Sequence, residues 1–151
     1  SAVVRVPTQT LTTTGLFGLF GIWSASSAGA IAYYRNGKIN VAGSAGQVHT
    51  ETVNQQFDKW IHVTLSIDNV ARTLILTTVI DGVITTNNYT LLSRVYSNAI
   101  IGIGNMFVAS TTYMLAEYAE VVIFNEPQTV AEIAAVYQRA KKRVALKSIA
   151  I

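Results

Sequence analysis

The sequence predicts an all-β domain, a two-sheet antiparallel sandwich closed by one C-terminal α-helix. Three observations carry that expectation. In Trp60-Ile-His-Val-Thr-Leu-Ser-Ile67, residues Ile61, Val63, Leu65 and Ile67 alternate with Trp60, His62, Thr64 and Ser66, the period of two that a strand requires. Asn36-Gly37 and Asp81-Gly82 each separate two extended runs, and such dipeptides supply the positive φ angles of two-residue hairpins. Thr129-Val-Ala-Glu132 is a capping box, after which the pattern changes to a helical period. Short strands broken by Gly and Asn turns, with no helices between them, favour a sandwich or barrel over a parallel α/β fold.

The elements follow in order along the chain. Val3, Val4 and Val6 open a β-branched segment, and a Thr-rich stretch around Thr12, Thr13 and Thr14 comes next. Leu16 to Trp23 is an apolar run with internal glycines, which suits a buried strand or a bulge. Ala30–Arg35 and Lys38–Val41 flank the first hairpin, and Val48–Val53 is a further strand. After Trp60–Ile67, Asp68-Asn69 turns the chain into the second hairpin, Arg72–Ile80 and Val83–Leu91. Ala99–Ile103 and Tyr113–Phe124 complete the strands. Val130, Ile133, Ala134, Tyr137 and Ala140 then fall on one face of a helix over about 129–143. The domain is expected over 1–143, with a short basic and apolar tail over 144–151.

Half of the 151 residues are apolar, enough to fill one sizeable core, and the length suits a single domain. Only 13% are charged, so Thr, Ser, Asn and Gln must supply most of the polar surface. The absence of cysteine excludes disulfides, thiolate metal sites and cysteine nucleophiles. No apolar run approaches the ~20 residues of a membrane span. The start lacks both an initiator Met and a secretory leader, and we take the chain as part of a longer protein. The net charge of +3 is uneven: residues 1–138 carry six basic and eight acidic side chains, a balance of −2, whereas 139–151 carry five basic ones and no acid. With an acidic body, nucleic acid is not an expected partner.

An ordered series of segments resembles the concanavalin A-like superfamily, in particular its laminin-G-like branch. Trp60-Ile-His-Val resembles that branch's W-x-H-V strand start, and Ile80-Asp-Gly-Val its apolar-Asp/Asn-Gly hairpin. Ile101-Gly-Ile-Gly is similar to the short strand that follows there. Ala116 to Phe124, then Asn125, Pro127, Thr129, Glu132, Ile133 and Tyr137, resembles its closing strand and helix. The series spans about residues 58–140, while residues 1–57 match loosely. The resemblance implies a two-sheet jelly roll whose members bind carbohydrate or protein, sometimes through calcium. A cysteine-free jelly roll ending in a helix also looks similar to modules of bacteriophage tail fibres and spikes, which implies a virion or extracellular surface location.

Catalysis is not expected. Retaining glycosidases need two carboxyls about 5–5.5 Å apart, and Glu117 and Glu120, three apart, point to opposite faces of a regular strand. The clustered acids of the superfamily's hydrolases do not occur here. His62 lacks an evident nucleophile and orienting acid, and His49 carries less signal still. Calcium is not indicated, because Asp68-Asn69 and Asp81-Gly82 each supply few oxygens and both are explained by turns, while Asn87-Asn88 adds only neutral oxygens.

Carbohydrate, as a surface polysaccharide, is the expected ligand. Sugar sites pair an aromatic face with planar hydrogen-bonding groups. Trp23, and the run Tyr34, Arg35 and Asn36, have that composition, as do Tyr89, Arg94 and Tyr96. Adjacent Tyr33 and Tyr34 face opposite sides, so one is expected in the core and the other exposed. The competing reading is a structural module that makes homo-oligomer or subunit contacts without a ligand. Leu146, Ile149 and Ile151 suggest an extended end that packs on a neighbouring strand or subunit.

Overall fold

A computed structural model of the chain describes residues 1–7, 16–25, 28–35, 38–43, 48–54, 57–93, 101–104 and 116–151, with the backbone alone at 16–17, 23–25, 28, 35 and 48–54. Ten strands form two antiparallel sheets, and one helix follows them. The strands are β1 (Ala2–Arg5), β2 (Leu16–Ala25), β3 (Ala28–Arg35), β4 (Lys38–Ala42), β5 (Val48–Asn54), β6 (Trp60–Asp68), β7 (Thr73–Ile80), β8 (Val83–Thr90), β9 (Ile101–Ile103) and β10 (Glu117–Val121). The first sheet has the order β10-β1-β6-β7-β8 and the second β5-β4-β3-β2-β9. The first and last strands are therefore neighbours, and the chain passes from one sheet to the other after β1, β5, β8 and β9.

The expected hairpins are present. Arg35 pairs with Lys38, and Ile80 with Val83 across Asp81 and Gly82 at φ 52° and 79°. Asp68 turns the chain after β6 by accepting the backbone N–H groups of Val70 and Ala71, each at 2.8 Å. The core lies between the sheets. Ala2, Val4, Ile61, Val63, Leu74 and Leu76 from the first sheet meet Leu19, Phe20, Ala30, Ala32, Tyr34, Ile39 and Val41 from the second.

The helix α1 (Val130–Ala145) begins as the capping box requires: Thr129 accepts from the Glu132 N–H, and Glu132 accepts from the Thr129 N–H at 2.8 Å. Its buried stripe is Ile133, Val136, Tyr137, Ala140 and Val144, rotated slightly from the expected one; Val130 in the first turn is exposed. This stripe lies on the outer face of the first sheet, where Val3, Val79, Trp60 and Ala119 meet it. The tail folds back onto the same cluster instead of running extended. Ile149 donates its N–H to the Val144 carbonyl, Ser148 takes a φ of 59°, and Ile151 is buried beside Tyr137, while Leu146 stays exposed. Among the described residues no helix is long and apolar enough to cross a membrane.

Within β2, Gly21 pairs with Ile31 on one side and Gly102 on the other, at a φ of 154°. A Cβ there would lie 2.4 Å from the Ala30 carbonyl oxygen and 2.6 Å from the Ile31 Cα, both backbone atoms that cannot rotate away. Gly82, by contrast, has open space around it and only its positive φ to satisfy. Gly21→Ala should therefore cost about 2–4 kcal/mol in urea unfolding, and Gly82→Ala only about 1–2 kcal/mol. Equal losses would show that the close approach at Gly21 is not what fixes that residue.

Candidate ligand-binding site

Tyr34 is not a surface residue. Both Tyr33 and Tyr34 are buried, at 2% and 0% exposure, so the expectation that one of them faces solvent does not hold. Alternation does send them to opposite faces, with Tyr34 in the inter-sheet core beside Ile39 and Phe57, but the outer side of β3 is buried too. Burial pushes the Tyr34 phenol up to about 12, and its hydroxyl has no partner among the described residues. Tyr89 lies on the inner face of β8 opposite Leu74 and packs partly against the core. The backbones of Trp23 and Arg35 sit in β2 and β3, opposite Gly29 and Lys38. Asn36, Arg94 and Tyr96 lie outside the described residues.

The carboxylates of β10 are also placed differently from the expectation. A bulge opposes Val3 to Glu120 and Val4 to Tyr118, so one residue of β10 is passed over. The regular alternation breaks there: Tyr118 and Val121 pack into the inter-sheet core, while Glu117, Ala119 and Glu120 all attend the helix-covered face. Each acid is paired with an arginine. Arg5 donates to Glu117 at 3.0 and 2.5 Å, and Arg143 of the helix donates to both oxygens of Glu120 at 2.5 and 2.6 Å. The Arg143 hydrogen bonds hold the Glu120 carboxyl below its ordinary range. Both groups are thus held as ion-paired carboxylates, the form suited to fixing neighbours in place.

His62, on β6, is fully buried, with its ring 5.5 Å from that of Tyr137 on the helix. Its Nε2 is 2.9 Å from Ser1 Oγ, which also accepts a hydrogen bond from Thr64, while Nδ1 has no partner among the described residues. A Ser–His nucleophile takes its orientation from a carboxylate on that second nitrogen, and among the described residues none is hydrogen-bonded there. Burial pushes the imidazole down to about 4, with the nearby terminal ammonium adding to the effect and Glu120 opposing it.

Two clefts remain. One, of about 360 Å³, opens between the sheets and is walled by Ile22, Leu65, Ile67, Ile101 and Phe124, with Gln128 at its rim. Ser66 fixes that rim by donating to the Gln128 carbonyl and accepting its N–H, at 2.9 and 2.7 Å. Its lining mixes these apolar walls with Ser66, Asn69, Asn125 and Glu126, and among the described residues it includes no tryptophan. The other, of about 540 Å³, is shallow and joins Asp58, Lys59 and Trp60 to Asp81, Gly82 and Lys141. Trp60 starts β6, the hairpin delivers Asp81 at the end of β7, and the last turns of the helix deliver Lys141. Lys59 donates to Asp81 at 2.6 Å, and the Arg5 guanidinium carbon lies 5.3 Å from the Trp60 ring centre, which fixes that ring's orientation. A half-buried indole beside carboxylates and ammonium groups is the composition sought in the sequence, built at other positions. The signal for it was present, since Trp60 and Asp81-Gly82 both stood out, but their meeting depends on tertiary structure. No group of three or more His, Asp or Glu side chains that would hold a metal occurs among the described residues.

Two predictions follow from these placements. Tyr34→Phe should leave stability unchanged or raise it by about 1 kcal/mol, because it removes a buried hydroxyl without a partner; Tyr34→Ala should cost about 3–5 kcal/mol. A destabilising Tyr34→Phe would show that the hydroxyl is bonded. For His62, the unfolded chain takes up a proton near pH 6.5 and the folded one only near 4. The unfolded state therefore binds more protons in that window, and stability falls as pH falls through it, by up to about 3 kcal/mol. His62→Gln should flatten the dependence of the urea midpoint between pH 6.5 and 5, and an unchanged slope would refute the assignment. Comparison with known proteins adds no relative to this arrangement: no protein-family model matches the chain, and neither does any curated protein or any solved structure.

Proposed function

We propose that the chain is a non-catalytic recognition module, a laminin-G-like jelly roll that binds a surface polysaccharide through the Trp60 cleft. The observation that carries this reading is the convergence of the Trp60 ring with Asp58, Lys59, Asp81 and Lys141 in one shallow, open depression. An extended polysaccharide needs an open cleft, because its chain must leave at both ends. Sugar C–H faces pack on an indole, and hydroxyls are recognised by carboxylates and ammonium groups held in fixed positions. The Lys59–Asp81 pair and the two-residue hairpin limit the freedom of those groups before a ligand arrives, which lowers the entropy cost of binding.

Two further considerations support the reading. Glu117 and Glu120 are each committed to an arginine, and His62 is buried beneath the helix, so these acids and this base serve the fold. The pairing of the first strand with the last, and the repeated passage between sheets, accord with the jelly roll that the sequence resembles. Display on a virion fibre or spike rests on that resemblance alone.

A glycan array followed by calorimetry tests the proposal. Asp81→Asn keeps a residue that tolerates the turn's positive φ, and Lys141→Ala changes an exposed helix residue. Each should weaken binding of the best polysaccharide about tenfold, equivalent to ~1.4 kcal/mol, with unfolding midpoints near that of the parent. Absence of any polysaccharide binding, or binding indifferent to both changes, would sink the proposal.

A further inference from the structure

We infer that β8 is a self-association edge, at which a second copy of this chain adds antiparallel to continue the first sheet. Among the described residues β8 pairs with β7 alone and ends the sheet. The Leu91 N–H donates to the Arg72 carbonyl at 2.8 Å, which identifies residues 72 and 91 as a hydrogen-bonded pair. Antiparallel ladders alternate, so 74–89, 76–87, 78–85 and 80–83 are bonded pairs as well. The backbone N–H and C=O groups of Ile84, Thr86 and Asn88 consequently point away from β7, toward the side on which no strand lies among the described residues.

Edges of this kind are normally blunted by charge, proline, bulges or brevity. β8 has none of these. It is eight residues long, pairs with β7 without a register shift, and no Lys, Arg, Asp, Glu or Pro occurs from Val83 to Ser93. The other edges are protected: β9 has three residues, β10 carries Glu117 and Glu120, and β5 carries Glu51.

The occupant is a second copy because the strand is complementary to itself. Its exposed apolar side chains lie at both ends, Val83 and Ile84 at 67% and 47% exposure and Leu92 at 67%, with a Thr- and Asn-rich middle. A two-fold axis normal to the strand sets the Val83–Ile84 end of one copy beside the Leu92 end of the other, and Thr and Asn beside Thr and Asn. Two neutral strands meet with no like-charge repulsion across the junction. Such a contact buries less than the ~1,200 Å² of a stable interface, so it forms a weak, concentration-dependent dimer.

Sedimentation of the chain between ~10 μM and ~1 mM, the range in which a contact of that size is populated, tests the inference. The parent should pass from monomer to dimer across the range. Ile84→Lys and Asn88→Lys, both exposed positions that leave the core untouched, should each raise the dissociation constant at least tenfold while the circular dichroism stays that of the parent. A monomeric parent at the highest concentration, or a dimer unaffected by both lysines, would overturn it. The readout is independent of polysaccharide, so the fate of this edge and that of the Trp60 cleft are decided separately.

Discussion

A 16-residue helix is marginal on its own in water, and a sheet with one uncovered apolar face is no better placed. Here each covers the other. Ile133, Val136, Tyr137 and Val144 go under the helix, each worth roughly 1.5–3 kcal/mol of transfer energy as an upper bound, and Val3 and Val79 pack with Tyr137 and Val144. This docking makes the first sheet a middle layer, with the second sheet on one side and the helix on the other. The central strand β6 is then buried on both faces, and that constraint governs the chemistry of everything along it. A polar side chain on its outer face has lost water and must find a protein partner. Ser66 finds the Gln128 backbone at the entry to the helix, Thr64 finds Ser1, and His62 stays neutral because a proton there would be poorly solvated.

The same layer explains why the acids of the closing strand are where they are. The chain must leave β10 and cross to the helix, and the bulge opposite Val3 brings Glu120 round to meet Arg143 as it does so. Glu117 meets Arg5, whose guanidinium also lies over Trp60. The arginine–carboxylate pairs are half exposed and contribute little to stability individually. Their effect is positional: one fixes the helix's C-terminal half against β10, and the other orients the aromatic floor of the candidate cleft.

Much of this fold was legible in the sequence wherever a local rule sufficed. Asp81-Gly82 and the Thr129–Glu132 box specify their own backbone conformations, and Trp60–Ile67 specifies a strand by alternation alone. What alternation does not specify is whether the polar face meets water. His62, Thr64 and Ser66 form the polar side of that alternation, and their partners come from residues about 60 positions away, which no local pattern reveals. Tyr33 and Tyr34 mislead for the same reason, since an aromatic pair before a hairpin has the composition of a binding site and the burial of a core. The bulge in β10 is invisible because nothing in Glu-Tyr-Ala-Glu marks it; the register with β1 creates it. The Trp60 cleft needs four separated segments to meet, 58–60, 81–82, 141 and 150–151, and no periodicity links them.

The Asp81-Gly82 hairpin joins the two surfaces on which recognition and assembly are argued. Asp81 forms a wall of the cleft through its contact with Lys59, and two residues later Val83 and Ile84 begin the open edge of β8. A two-residue turn has no slack: both central residues are held at positive φ, and the flanking pair Ile80–Val83 closes the ladder immediately. The cleft wall and the edge are therefore set by one rigid element anchored in the sheet, not by a loop free to adapt. A second copy placed on β8 would extend the same sheet without reshaping the turn, so the cleft of each copy would stay open while two clefts were held at a fixed separation. For a repeating polymer that arrangement converts a weak single contact into an intramolecular second one, which raises the retention of the ligand without any new contact.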